Sequence, residues 1–266
     1  MTLDEANAAF WDELCGSHLA QALGITDHTP EALRRFDAAY LGFYPYLGAY
    51  LESLESRGRR TLEIGIGYGT VARWLVGHGA VYHAVDIADG PVSMARSALE
   101  AHGNDPDAAV RGSALELPFG DASIDAVVAI GSLHHTGDLA RAVGEVHRVL
   151  RPAGHALVMV YNARSLNRTV TKPAATALAR MLPSRAESLR ARTLFDTSLD
   201  GATAPHTDFV SRKHARELFS EFAHATVRSE NANAITLHGH MLIRRERLLR
   251  TVGPVAGLDL YIRATK

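Results

Sequence analysis

The segment Glu63-Ile64-Gly65-Ile66-Gly67-Tyr68-Gly69 constrains this chain more than any other. It follows a short apolar run, Thr61-Leu62-Glu63-Ile64, and precedes Val71-Ala72-Arg73-Trp74-Leu75-Val76, which resumes at helical spacing. A strand, a turn and a helix are expected in that order. Glycines on alternate positions between strand and helix suit a place where a ligand approaches the backbone too closely for side chains. A dinucleotide-binding turn would also want glycine at position 70, which is Thr70, so the spacing speaks against a dehydrogenase.

The pattern continues downstream. Val81-Tyr82-His83-Ala84-Val85-Asp86 is the next strand, followed by Pro91 near a helix start and a helix through Met94, Ala98 and Leu99. Ala109-Val110-Arg111 gives a short third strand, and the nearly unbroken apolar run Ile124–Ile130 reads as a strand buried on both faces. Leu139, Ala142, Val143, Val146, Val149 and Leu150 mark an amphipathic helix, stopped at Pro152-Ala153-Gly154 before a fifth strand, His155 to Tyr161. Strands alternating with helices imply a parallel, doubly wound α/β sheet that binds ligands at the carboxyl ends of its strands. Asp86, about 20 residues after the glycines, ends the second strand, where a carboxylate can accept both hydrogen bonds of a ribose diol.

With these elements in order, residues 60 to 162 resemble the class I S-adenosylmethionine-dependent methyltransferases, specifically the small-molecule methyltransferase type 11 group. The resemblance rests on Leu62 to Gly69, Val85-Asp86-Ile87, Leu115-Glu116-Leu117-Pro118-Phe119, Asp125-Ala126-Val127 and the Leu150-Arg151-Pro152-Ala153-Gly154 turn. It implies a Rossmann-like sheet with an antiparallel last strand, here Leu258 to Ala264, and S-adenosyl-L-methionine as cofactor. It implies further that Glu63, Gly65, Gly67, Gly69 and Gly131 cradle the cofactor, with Glu63 and Gly65 at its methionyl part, Asp86 on the ribose and Ile87 near the adenine. The family commonly has Gly-Asp ahead of the Leu-Pro-Phe segment, and this chain has Gly112-Ser113-Ala114, so adenine recognition falls to Ser113 and Ala114 with a weaker acceptor. Ala153 stands where the turn usually carries a second glycine, a change expected to matter little.

Acceptor positioning is expected from the loops beyond the fourth and fifth strands and from segments outside the core. Gly131-Ser132-Leu133-His134-His135 follows the fourth strand, with His134 the candidate for acid-base assistance ahead of His135. No metal is expected, because adjacent histidines lack helical i,i+4 geometry and no Cys or carboxylate cluster joins them. Eight of the chain's 18 aromatics lie in residues 1–56. Thr29-Pro30-Glu31 starts a helix whose Phe36, Tyr40, Phe43 and Tyr44 share a face. Most of that face is expected to pack on the sheet, with Tyr40, Tyr44 or Tyr46 reaching the pocket and Tyr40 and Tyr44 as candidate catalytic hydroxyls.

Four stretches follow: an N-terminal helical cap (1–56), a cofactor-binding core (57–162), a helical substrate-lid insertion (163–210) and the C-terminal part of the core fold (211–266). Net charge is −1 over 266 residues, but nine carboxylates face two arginines in 1–56, while seven cations face one carboxylate in 163–194. The cationic run suits either docking on the acidic cap or capture of an anionic or carrier-protein-bound acceptor. Leu178, Met181 and Leu182 suggest a helix there, and His206-Thr207-Asp208 is placed at the pocket rim before a final helix from Ser211 to Phe222. Three lysines in the whole chain and the absence of a base-clamping Pro-Pro-Tyr motif weigh against nucleic acid. The single cysteine, Cys15, is expected buried, and no basic leader or apolar run of about 18 residues points to export or a membrane. The expectation is a cytoplasmic enzyme methylating O, N or C of a small molecule in specialised-metabolite biosynthesis. The alternatives are an NAD-dependent oxidoreductase and a non-catalytic cofactor-binding regulator; acceptor atom and oligomeric state stay open.

Overall fold

Each apolar run of the central region forms a strand. They are β1 (Arg60–Ile64), β2 (Val81–Asp86), β3 (Ala109–Arg111), β4 (Ile124–Ile130) and β5 (Leu150–Tyr161). The C-terminal part adds β6 (His224–Glu230), a small hairpin of β7 (Ile235–Leu237) and β8 (His240–Ile243), and β9 (Asp259–Thr265). The computed structural model describes residues 1–14, 16–171, 196–237 and 240–266. Cys15, the helix expected around 178–182, and the insertion's Lys172, Arg180, Arg185, Glu187, Arg190 and Arg192 lie outside the described residues.

The seven-stranded sheet runs β3-β2-β1-β4-β5-β9-β6. β1 to β5 pair in parallel, and β9 is antiparallel to both β5 and β6. Chain direction reverses outward from β1, so the crevice between β1 and β4 is the switch point at which such sheets take a ligand.

Helices α5 (Thr70–Gly77) and α6 (Asp89–Ala101) link the first strands, and α7 (Leu139–Val149) links β4 to β5. Because side chains alternate across a strand, Ala126 and Val128 of β4 enter one core while Val127 and Ala129 enter the other. The second core joins β4 and β5 to Val143 and Val146 of α7 and to Phe219 and Phe222. Those two aromatics lie beyond α8 (Arg212–Leu218), which is shorter than the expected 211–222 helix because the chain turns inward at Phe219.

The first core includes the N-terminal segment itself, which is α1 (Leu3–Trp11), α2 (Ser17–Ala22), α3 (Pro30–Phe43) and α4 (Leu47–Glu52). The start of α3 is as the sequence dictates: Thr29 Oγ1 accepts the N–H of Ala32 at 3.3 Å and Pro30 occupies the first turn. Phe36, Leu47 and Leu51 are fully buried among residues of α5 and the sheet, including Leu75, Leu157 and Tyr261. The C-terminal part closes with α9 (Arg245–Thr251) and α10 (Gly253–Ala256).

One expectation needs correction. Ala153 sits at φ 63°, in the left-handed region that disfavours a Cβ, so its substitution for glycine is not neutral. The neighbouring Gly154 is obligatory, since a Cβ there would lie 2.8 Å from the carbonyl oxygen of Arg151 and 3.0 Å from that of Asp125. Among the described residues, no helix is long and apolar enough to cross a membrane.

Candidate active site

A cleft of about 1010 Å³, measured out to bulk solvent, opens over the carboxyl ends of β1, β2 and β4. Glu63, Gly65, Gly67, Asp86, Ile87, Ser113, Ala114 and Gly131 all line it. Gly69 does not; at φ 78° it caps the start of α5 behind the loop. Gly65, at φ 81°, is the tightest point, because a Cβ there would lie 2.2 Å from the Cβ of Ser132. Ser132 holds its own place by donating its hydroxyl to the Ile64 carbonyl at 2.5 Å.

Asp86 braces this loop. Its Oδ2 accepts the N–H of Ile66 at 2.7 Å and its Oδ1 accepts that of Ala88 at 3.0 Å. Burial pushes its pKa up to about 6, against the pull of these backbone N–H groups. Glu63 is buried too, and Tyr82 donates its hydroxyl to Glu63 Oε2. Burial raises the Glu63 pKa to about 8, with the Asp86 charge adding to the rise. Ser113 Oγ accepts the N–H of Leu115 at 3.3 Å from its place in the cleft wall.

Opposite Asp86, the wall is built by the cap and by the turn after β4. Asp4, Asn7 and Trp11 of α1, Phe36 and Tyr40 of α3, and His135 and Thr136 line it. Asn7, the buried residue of α1, donates its amide to the His135 carbonyl at 2.9 Å, and Trp11 packs on the His135 ring at 4.7 Å. Phe36 stacks on Tyr68, with ring centroids 4.1 Å apart.

The histidine pair is arranged in the reverse of the expected order. His134 is fully buried and does not line the cleft, whereas His135 does, because the 3-10 turn over Leu133–His135 rotates successive side chains to different sides. Burial lowers the pKa of both, that of His134 well below its ordinary value. Tyr44 likewise stands back from the cleft, capping α3 with its ring between those of Tyr40, Phe43 and Tyr46. Tyr46 is held in the interior by Tyr261, 5.4 Å away, and its hydroxyl is pushed far above its usual pKa by burial. Of the three tyrosines expected at the pocket, Tyr40 lines it.

Residues 196–210 run across this turn. The His206 carbonyl accepts from His135 Nδ1 at 2.6 Å, and the Asp208 N–H donates to the His134 carbonyl at 2.7 Å. Asp196 accepts the Tyr161 hydroxyl at 2.8 Å and places its other oxygen 3.5 Å from His135 Nε2. A single carboxylate, Asp196, thus stands beside the two histidines. Asp196 lies some 60 residues from them in sequence, and no local spacing could have pointed to it.

The class that this fold defines is an open, doubly wound α/β domain with its cleft at the switch point of the sheet. Residues 62–158 match the family model described as "Methyltransferase domain". An uncharacterized methyltransferase of Mycobacterium tuberculosis is 39% identical over 111 residues, 42% of this chain and 43% of that protein. A Mycobacterium ulcerans protein named phthiotriol/phenolphthiotriol dimycocerosates methyltransferase 1 is 35% identical over 106 residues, 39% of this chain and 38% of its own. The matches thus span less than half the length of these curated relatives. A SAM-dependent methyltransferase from Archaeoglobus fulgidus shares the fold, with a TM-score of 0.51 at 15% identity over 88% of this chain and 94% of that one.

Proposed function

We propose that this chain transfers a methyl group from S-adenosyl-L-methionine to a nucleophilic O, N or C of a small molecule. One observation carries the reading: the Gly65 backbone, the Asp86 carboxylate and the buried Glu63 converge on a single cleft at the switch point of a methyltransferase-type sheet. The fit is specific, since a Cβ would fill the cradle at Gly65, and Asp86 keeps lone pairs beyond its two backbone bonds for a ribose diol.

Bound there, the cofactor supplies an already activated sulfonium carbon. What the chain must add is alignment and exclusion of water. Asp86 and the Ile66 to Gly67 backbone hold the nucleoside end, while Glu63 offers a carboxyl group at the methionyl end. Trp11, Phe36 and Tyr40 form the acceptor wall, whose apolar rings suit an acceptor with an apolar body. His135 Nδ1 is engaged by the His206 carbonyl and its Nε2 faces Asp196, so this ring shapes the wall and is not aimed at the acceptor as a base. Trp11, Phe36 and Tyr40 lie outside residues 62–158, so the matched segment does not carry the acceptor over from relatives.

The cations of 163–194 support an anionic or carrier-bound acceptor in a specialised-metabolite pathway. Replacing Arg185, Arg190 and Arg192 together then raises the acceptor KM and leaves cofactor affinity alone; loss of thermal stability only would assign them to docking on the cap. Calorimetric titration with S-adenosylmethionine, S-adenosylhomocysteine and NAD tests the main reading. Both sulfur ligands are expected to bind, and NAD binding without them would overturn it.

A further inference from the structure

Four buried polar atoms of His134, His135 and Asp196 have no hydrogen-bond partner: both ring nitrogens of His134, His135 Nε2 and Asp196 Oδ2. Orphaned polar groups in an interior cost free energy unless something joins them. One ligand atom from each of the three residues lies within 4.8 Å of the other two. The far side of two of the groups is already occupied. His135 Nδ1 faces the His206 carbonyl at 2.6 Å, which fixes a proton there and leaves Nε2 as a lone pair. Asp196 Oδ1 accepts the Tyr161 hydroxyl at 2.8 Å.

A lone pair of His135 Nε2 and an oxygen of Asp196 thus face each other at 3.5 Å. That is too long for a hydrogen bond. It is the spacing of two ligands on one ion: donors about 2.0–2.2 Å from a tetrahedral metal stand roughly 3.3–3.6 Å apart. A metal-bound histidine usually donates its other N–H to a carbonyl or carboxylate, and the carboxylate ligand is itself hydrogen-bonded, as found here for His135 and Asp196.

We propose that His134, His135 and Asp196 bind one divalent first-row transition ion, of which zinc is the reference member. Two imidazoles and one carboxylate select such an ion over magnesium or calcium, which take oxygen donors. Three protein ligands leave a coordination position open, and His135 carries the site to the acceptor wall. If methyl transfer is the reaction, the ion is placed to polarise an acceptor oxygen or nitrogen; this role alone rests on the methyltransferase reading.

The full chain, stripped with a chelator and dialysed, is titrated with Zn²⁺ by calorimetry and with Co²⁺ by visible absorption, alongside elemental analysis of the purified protein. One ion per chain is expected, with Co²⁺ bands in the visible range of a four- or five-coordinate N/O site. Asp196→Asn, which keeps a partner for Tyr161, and His134→Gln should each weaken the site at least tenfold while the far-ultraviolet circular dichroism stays unchanged. Absence of a stoichiometric site, or a site indifferent to both substitutions, overturns the proposal; the latter result assigns the metal to surface histidines. S-adenosylhomocysteine binding, measured on the same stripped protein, separates the two readings: metal without nucleoside sinks the methyltransferase reading only, and nucleoside without metal sinks this one only.

Discussion

Asp86 and Ile66 meet across 20 residues of sequence, the carboxylate Oδ2 accepting the backbone N–H at 2.7 Å and so tying the end of β2 to the glycine loop. The residue assigned to the ribose is therefore also a support of the loop. Asp86→Ala removes two charge-assisted bonds and is expected to cost about 2 kcal/mol or more in stability, as well as cofactor affinity. Asp86→Asn retains one acceptor oxygen and should hold the fold better while still losing roughly tenfold or more in S-adenosylhomocysteine affinity. Denaturation and calorimetry on both variants check this, and unchanged affinity in both would reject the ribose assignment.

Glu63 gives a pH dependence whose sign is fixed. Its folded pKa of about 8 lies above the unfolded value, so the native state binds more protons between roughly pH 4.5 and 8. Its burial is therefore costless below that window and increasingly destabilising as pH rises through it. In Glu63→Gln this part of the decline in melting temperature from pH 5 to 8 should vanish.

The same group predicts proton release. A sulfonium cation beside Glu63 favours the carboxylate, so at pH 7 S-adenosylmethionine should release more protons on binding than the neutral thioether S-adenosylhomocysteine. Calorimetry in buffers of different ionisation enthalpy measures the difference, and equal release would place the sulfonium away from Glu63.

Ala153→Gly should stabilise the protein by about 0.5–1 kcal/mol, because it relieves a left-handed Cβ at φ 63° and gives back part of that in unfolded-state entropy. Gly154→Ala one residue on should destabilise it markedly through the carbonyl contacts of Arg151 and Asp125. Thermal melts of the pair distinguish conformation from general sensitivity of the turn.

Asn7→Ala is expected to lower stability by about 1–2 kcal/mol, since it leaves the His135 carbonyl without its buried amide partner. It should also weaken S-adenosylhomocysteine binding, because α1 forms part of the cleft wall. A change in stability with unaltered binding would make α1 a support only.

The sheet strands β1 to β5 and the glycine loop are legible in sequence because each is specified by its own apolar run and by residues a few positions apart. β6 is not: its side chains are mostly exposed or half-exposed, it carries no apolar run, and it is fixed by pairing with β9 along the sheet edge. The order of His134 and His135 is hidden for another reason, since adjacent residues in a short 3-10 turn have no periodicity from which to read a face. Tyr40 and Tyr44 share a helical face in sequence, yet the helix ends at Phe43, so Tyr44 departs from the direction that the periodicity implies.

The N-terminal segment is held in two different ways. α3 and α4 are built into the interior through Phe36, Leu47 and Leu51, whereas α1 buries only Asn7 and, with the residues just after it, is fastened by few polar links: Asn7 to the His135 carbonyl, Asp12 to the Gly90 N–H and Glu13 to the Leu199 N–H. With so little of it in the interior, α1 is expected to show faster backbone hydrogen exchange than α3 and α4.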